Sequence, residues 1–166
     1  MRNTLKIFCA LVAISFLFLG CSPEKKEEAP VRRDPAPDFR LQDLSQNSVA
    51  LSSYQGRHPV LLLFWATWCP YCRQELARMN QKYRELAKDG LVFLAVDVRE
   101  AAEKVNIFMQ SHNLTFRVLL DTDTRVAEAY GLVGIPTYVL IGKKGSVLFK
   151  DNAFPQQYQE LISRER

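Results

Sequence analysis

Two cysteines three positions apart, Cys69 and Cys72, are the residues of this 166-residue chain whose type and spacing point most directly to chemistry. They stand in Trp68-Cys69-Pro70-Tyr71-Cys72, just after the continuous apolar run Val60-Leu61-Leu62-Leu63-Phe64-Trp65. Such a run is the signature of a strand buried on both faces. Pro70 suits the first position of a helix. Leu76, Met79, Tyr83 and Leu86 then recur at helical spacing until Gly90 stops the pattern. Cys69 is thus expected where a buried strand meets a helix N-terminus. Unpaired N–H groups and the positive end of the helix dipole stabilise a thiolate there, and the thiolate is the species that attacks disulfides. Cys72, almost one turn further along the same face, can reach back to the Cys69 sulfur and release a mixed-disulfide partner. Cys69 reads as nucleophile and Cys72 as resolving thiol.

The other two cysteines strengthen that pairing. Arg2 and Lys6 open a leader whose core, Ile7 to Gly20, is a 14-residue uncharged, mostly apolar run. A bilayer span needs roughly 20 such residues, so the run suits a signal-peptide core better. Cys9 leaves with that leader. Phe18-Leu19-Gly20-Cys21 resembles a bacterial lipobox, cut before a lipid-bearing cysteine, although the usual Leu three places before the Cys is Phe18, with Leu17 one step further back. Residues 22 to 37, SPEKKEEAPVRRDPAP, carry four prolines and mixed charge and cannot build a core. The expected organisation is a signal peptide over 1–20, lipidated Cys21 and a flexible tether over 21–36, and one folded domain over 37–166. Only Cys69 and Cys72 then remain in a compartment that permits disulfides. A structural zinc site would need two further ligands, and the mature chain offers only His58 and His112, so no metal is expected.

Composition narrows the class. With 48% apolar residues and a net charge of +4, the balance is that of an ordinary globular chain, which argues against disorder, collagen-like repeats or several membrane spans. Charge is spread too evenly for a nucleic-acid footprint.

The rest of the chain supplies the scaffold. Asp38 to Leu51 alternates around Asn47-Ser48 as an N-terminal hairpin. Leu91 to Val98 predicts a second apolar strand, and Val105, Phe108 and Met109 a second helix. Thr115 to Leu120 predicts a short strand, Asp121 to Tyr130 a helix closed by Gly131. Thr137 to Ile141 and Ser146 to Lys150 flank a Gly142-Lys143-Lys144-Gly145 turn as a hairpin. A last helix from Pro155 carries Tyr158, Leu161 and Ile162. Alternating strands and helices imply an α/β domain with a central sheet and helices on both faces.

The segment Phe64-Trp65-Ala66-Thr67-Trp68-Cys69-Pro70-Tyr71-Cys72 resembles the active-site stretch of the thioredoxin superfamily, and Tyr130-Gly131-Leu132-Val133-Gly134-Ile135-Pro136-Thr137 resembles its second signature. Pro37-Asp38-Phe39-Arg40-Leu41-Gln42-Asp43-Leu44, the Gly56 turn and the lipoprotein leader are similar to the TlpA/ResA-like branch of membrane-anchored thiol–disulfide oxidoreductases. The resemblance implies a thioredoxin-like fold with a mixed sheet and an N-terminal β-hairpin extension. It implies a cis bond before Pro136, with the Ile135 backbone turned toward the sulfurs to pair with an extended substrate, and Trp68 flanking the site. It also implies an extracytoplasmic, membrane-anchored reductant, which in a Gram-negative host would stand on the periplasmic face, with no cofactor beyond the Cys69–Cys72 disulfide. Substrates of the apocytochrome c type, and electrons from a membrane thiol donor of the DsbD/CcdA type, are what such relatives suggest.

Two departures stand out. Thioredoxins keep a buried Asp six places before the first Cys, and this chain has Leu63 there. Glu75 matches an acidic residue of TlpA/ResA-like reductases and, at i+3 from Cys72, would share its helix face and move protons. The bland alternative is a solvated Glu paired with Arg78. The Pro-Tyr dipeptide between the cysteines also shifts the potential by an amount that sequence does not give. Competing expectations are a dithiol oxidase or isomerase and a copper-binding module, for which the spacing is tight and His112 unmatched. A thiol peroxidase would want Thr three places before its Cys, where Ala66 stands.

Overall fold

The computed structural model describes residues 34–165; the leader, Cys21 and residues 22–33 of the expected tether lie outside the described residues. In chain order the elements are β1 (Arg40–Asp43), β2 (Ser48–Ala50), a 3-10 turn at Leu51–Tyr54, β3 (Val60–Trp65), α1 (Pro70–Lys88), β4 (Val92–Val98) and α2 (Ala102–Ser111). There follow β5 (Val118–Asp121), α3 (Arg125–Ala129), β6 (Thr137–Ile141), β7 (Val147–Asp151) and α4 (Tyr158–Ser163).

The seven strands form one mixed sheet in the order β2-β1-β5-β4-β3-β6-β7. β3 runs parallel to β4, and β4 to β5, while every other pairing is antiparallel. The crossovers β3-α1-β4 and β4-α2-β5 step the same way along the sheet, which puts α1 and α2 on one face. Leu61, Leu63 and Trp65 of β3 pack there with Phe93 and Ala95 of β4, Leu76, Met79 and Leu86 of α1, and Val105 and Phe108 of α2. Leu62, Phe64, Leu94 and Val96 fill the opposite layer with Val126 and Ala127 of α3 and Phe39, Val49 and Leu51 of the N-terminal segment. Alternation on strands covered from both sides explains why β3 reads as an unbroken apolar run: all six residues are buried. The expected fold class, with its N-terminal hairpin, is what the chain adopts.

α1 is the element that matters for function, and both its ends follow from sequence. Cys69 is its N-cap and Pro70 occupies the first turn. Its C-terminus is closed by Gly90, at φ +78°, where Gly90 N–H and Leu91 N–H bond back to the carbonyls of Ala87 and Leu86 at 3.0 Å each.

Several boundaries differ from expectation, each for a local reason. Asp121 was expected to open a helix but ends β5, and its carboxylate accepts the N–H groups of Val126 at 3.2 Å and Ala127 at 2.8 Å, capping α3 from outside. β5 begins at Val118 rather than Thr115 because the Thr115 N–H is taken by Asn80 Oδ1 at 3.0 Å. α4 starts at Tyr158, after a turn in which Tyr158 N–H bonds to the Pro155 carbonyl. The end of the expected tether also differs. Ala36 N–H donates to the Gly145 carbonyl at 2.8 Å and Val147 N–H to that of Asp34 at 3.0 Å, which ties these residues to the β6–β7 turn.

Candidate active site

Cys69 and Cys72 form a disulfide with a Cα–Cα separation of 5.2 Å at the start of α1. Their burial and that of their neighbours are uneven. Cys69 is 3% exposed and Cys72 fully buried, whereas Trp68 and Tyr71 are 63% and 71% exposed. What little of the disulfide meets solvent therefore lies at Cys69, beside two exposed aromatic residues. Helix capping adds an electrostatic asymmetry. The Cys72 N–H donates to Cys69 Sγ at 3.1 Å, so a negative charge on that sulfur would be met by a backbone donor and the helix N-terminus. Among the described residues Cys72 Sγ has no matching arrangement. The nucleophile and the resolving thiol expected from spacing are thus placed in different environments.

The second signature closes the other side. The Ile135–Pro136 bond is cis, and the Ile135 carbonyl oxygen lies 3.8 Å from Cys69 Sγ. Thr137 Oγ1 donates to the Gly134 carbonyl at 2.7 Å and Asn152 Nδ2 to that of Pro136 at 2.6 Å, which holds the loop in place from β6 and from the end of β7. Val133, next along, is fully exposed. Trp68, Tyr71 and the Ile135 carbonyl border Cys69 with apolar surface and a main-chain hydrogen-bonding group, a combination suited to an extended polypeptide.

Glu75 is neither a purely solvated residue nor a free acid. Its side chain is 17% exposed, accepts a 2.7 Å hydrogen bond from the Tyr138 hydroxyl and stands 3.7 Å from Arg78. The Arg78 pairing of the bland alternative is present, and the Tyr138 contact is one that sequence spacing does not reveal.

A second tie missed by sequence lies beneath the loop that carries Cys69. Glu100, just after β4, accepts the N–H of Thr67 at 2.5 Å and its hydroxyl at 2.8 Å, and also pairs with Lys104 at 2.5 Å. Burial opposes its charge, but Lys104 and the two Thr67 donors outweigh that and hold its pKa below the usual range. The Thr67 carbonyl in turn accepts from Arg73 Nε at 3.0 Å. These bonds fix the turn between β3 and α1 against α2. Ala66, three places before Cys69, is buried and brings no hydroxyl to the sulfur. Among the described residues no cluster of three or more His, Cys, Asp or Glu side chains could hold a metal ion, and no helix is long and apolar enough to cross a membrane.

Fold and site together define a thioredoxin-like domain with a Cys-x-x-Cys disulfide at a helix N-terminus. The chain belongs to the AhpC/TSA family, whose sequence profile matches residues 33–150. It is 38% identical over 113 residues to the thiol–disulfide oxidoreductase ResA of Bacillus subtilis, a match covering 68% of this chain and 63% of that protein, just under two thirds of the relative's length. ResA of Bacillus thuringiensis subsp. konkukian is 30% identical over 162 residues, covering 96% of this chain and 91% of the relative. Among solved structures, a thioredoxin-family thiol:disulfide interchange protein of Chlorobium tepidum superposes with a TM-score of 0.67 at 26% identity, covering 82% of this chain and 98% of that one. These likenesses agree with the TlpA/ResA-like resemblance carried by the motifs.

Proposed function

We propose that this protein is an extracytoplasmic thiol–disulfide oxidoreductase that reduces protein disulfides. The observation that carries the reading is the asymmetric pair: Cys69 Sγ caps α1, accepts the Cys72 N–H and holds the little of the pair that meets solvent, while Cys72 is fully buried. In the reductive direction the Cys69 thiolate attacks a substrate disulfide. A mixed disulfide forms and one substrate sulfur leaves as a thiol. Cys72 then attacks the Cys69 sulfur, which releases the second substrate thiol and restores the disulfide. Trp68, Tyr71 and Ile135 would hold an extended substrate segment, and apocytochrome c heme-binding thiols are the substrate class that the ResA-like likeness favours. Recharging would draw on a membrane dithiol donor of the DsbD/CcdA type, with a lipid on Cys21 keeping the domain at the membrane.

The reduction potential of the Cys69/Cys72 couple tests the direction. Equilibration of the full chain with dithiothreitol is expected to give a value near or below that of thioredoxin, roughly −270 mV. A value of about −120 to −180 mV would make it an oxidase or isomerase instead.

A further inference from the structure

A carboxylate sits inside the sheet at the end nearest the disulfide. Asp97 lies near the C-terminal end of β4, fully buried, and neither of its oxygens has a hydrogen-bond partner among the described residues. Its register partner on parallel β3 is Trp65, four residues before Cys69, whose indole Nε1 is likewise buried without a partner. Alternation along β4 points Asp97 to the same face as Phe93 and Ala95, the layer that contains Trp65, Cys69 and Cys72. Three residues on, Glu100 holds Thr67 and so the turn that presents Cys69. Asp97 is thus a buried acid on the disulfide's side of the sheet and at its end of the strands.

We propose that Asp97, acting with Glu100, is a positioning residue that sets the pH response of the Cys69–Cys72 couple. The inference rests on the proposed function only in that the couple exchanges disulfides, and holds in either direction. When a partner protein dithiol reduces the couple, the Cys69–Cys72 bond breaks, two electrons and two protons pass to the sulfurs, and the partner is oxidised to its disulfide. Any thiolate left on Cys69 adds a negative charge to the layer that holds Asp97. An ionised Asp97 opposes that charge, whereas a neutral Asp97 does not.

The surrounding charges decide which form prevails. Glu100 is the like charge beside Asp97; the cation of Lys104 on α2 is spent on Glu100, and that of Arg73 on α1 lies at the Thr67 carbonyl. Burial first, and then the Glu100 carboxylate, push the Asp97 carboxyl up to about 8. Near neutral pH it is therefore protonated, and above that value its charge begins to disfavour the thiolate-bearing reduced state.

The test compares the full chain with Asp97→Asn, which keeps the shape and removes the titration. Their reduction potentials, measured against dithiothreitol, should coincide at about pH 6 and diverge by about pH 9. There the variant should favour the reduced state about tenfold more, equivalent to about 30 mV. Parallel curves with a constant offset would mean a merely structural Asp97 and overturn the proposal. Should the variant not fold, an infrared titration of the unaltered chain answers the same question. The band of a buried protonated carboxyl should be lost near pH 8 in the oxidised protein, and at higher pH once the disulfide is reduced chemically. A midpoint that does not move on reduction would overturn the coupling. Failure of the couple to exchange with dithiothreitol while that midpoint moves would instead count against the proposed function alone.

Discussion

The hydroxyl of Tyr138 on β6 donates a 2.7 Å hydrogen bond to Oε2 of Glu75 on α1. Tyr138 is the register partner of Leu63, the position at which thioredoxins carry their buried Asp, so a phenol on the neighbouring strand stands beside the missing carboxylate. Burial, reinforced by the Glu75 carboxylate, holds the Tyr138 phenol above its ordinary range. It remains a donor throughout the working pH range, and Glu75 remains the acceptor. The acid expected from its spacing to Cys72 is thereby anchored between α1 and the sheet.

Two substitutions separate the anchoring of Glu75 from a role in proton handling. Tyr138→Phe removes a hydrogen bond to a carboxylate and should cost about 1–3 kcal/mol of stability, seen as a lower urea midpoint. Glu75→Gln removes a negative charge from the helix face that Cys72 shares, so the thiol titration followed by ultraviolet absorbance should move to lower pH. An unmoved titration would leave Glu75 as a tie between helix and sheet.

The division of labour between the two sulfurs gives a sharper expectation. Cys69→Ala should abolish reduction of insulin disulfides, and retained activity would remove the nucleophile assignment. Cys72→Ser should still attack substrate but lack the second step, so covalent adducts with a protein disulfide should accumulate and dissolve on adding dithiothreitol. If Cys72→Ser instead turned over normally, resolution would have to come from elsewhere.

Trp68 is exposed and directly precedes Cys69. Its loss should leave folding almost untouched, because little of the ring is withdrawn from water. Trp68→Ala is expected to raise KM for a protein disulfide about three- to tenfold, the range of one lost aromatic anchor. Its rate with a small disulfide, which offers no segment for the ring to grip, should change less than twofold. Equal losses with both substrates would point to a disturbed Cys69 instead of a lost contact.

How far the sequence reached depends on which interactions are local. The strand–helix junction at Cys69 was legible because an apolar run, a proline and a helical period are features of adjacent residues. So was the end of α1 at Gly90, whose left-handed backbone writes itself into the residue type. Long-range polar bonds leave no such trace. Thr67 and Glu100 are 33 positions apart, and Glu75 and Tyr138 63 apart. Neither pair follows from periodicity, which reports which face a residue occupies and not what lies opposite. The α3 boundary failed for a related reason, since Asp121 serves the helix from the strand before it. Asp97 did leave a signal: an acid within the apolar run Leu91–Val98 breaks the pattern that makes the run a buried strand.

That same acid should shape the stability of the whole domain. Unfolded, the Asp97 side chain titrates near 3.9 or so; folded, burial and the Glu100 charge put it at about 8. Between about pH 4 and about pH 8 the folded chain therefore holds a proton that the unfolded chain has released, and stability falls as pH rises, by at most about 1.4 kcal/mol per pH unit. Glu100 has the opposite sign. Its folded value lies below the ordinary one, so its contribution is present above the unfolded value and is lost only as pH drops through the folded one. Across the window from about pH 5 to about pH 8, Asp97 alone should thus set the slope from this pair. Urea midpoints of the unaltered protein should fall from the lower to the higher of those values. Asp97→Asn should flatten that fall, with an advantage over the parent that grows toward pH 8. A constant difference between the two proteins would reflect only the cost of burying an amide, and would show that the Asp97 carboxyl does not titrate in that window.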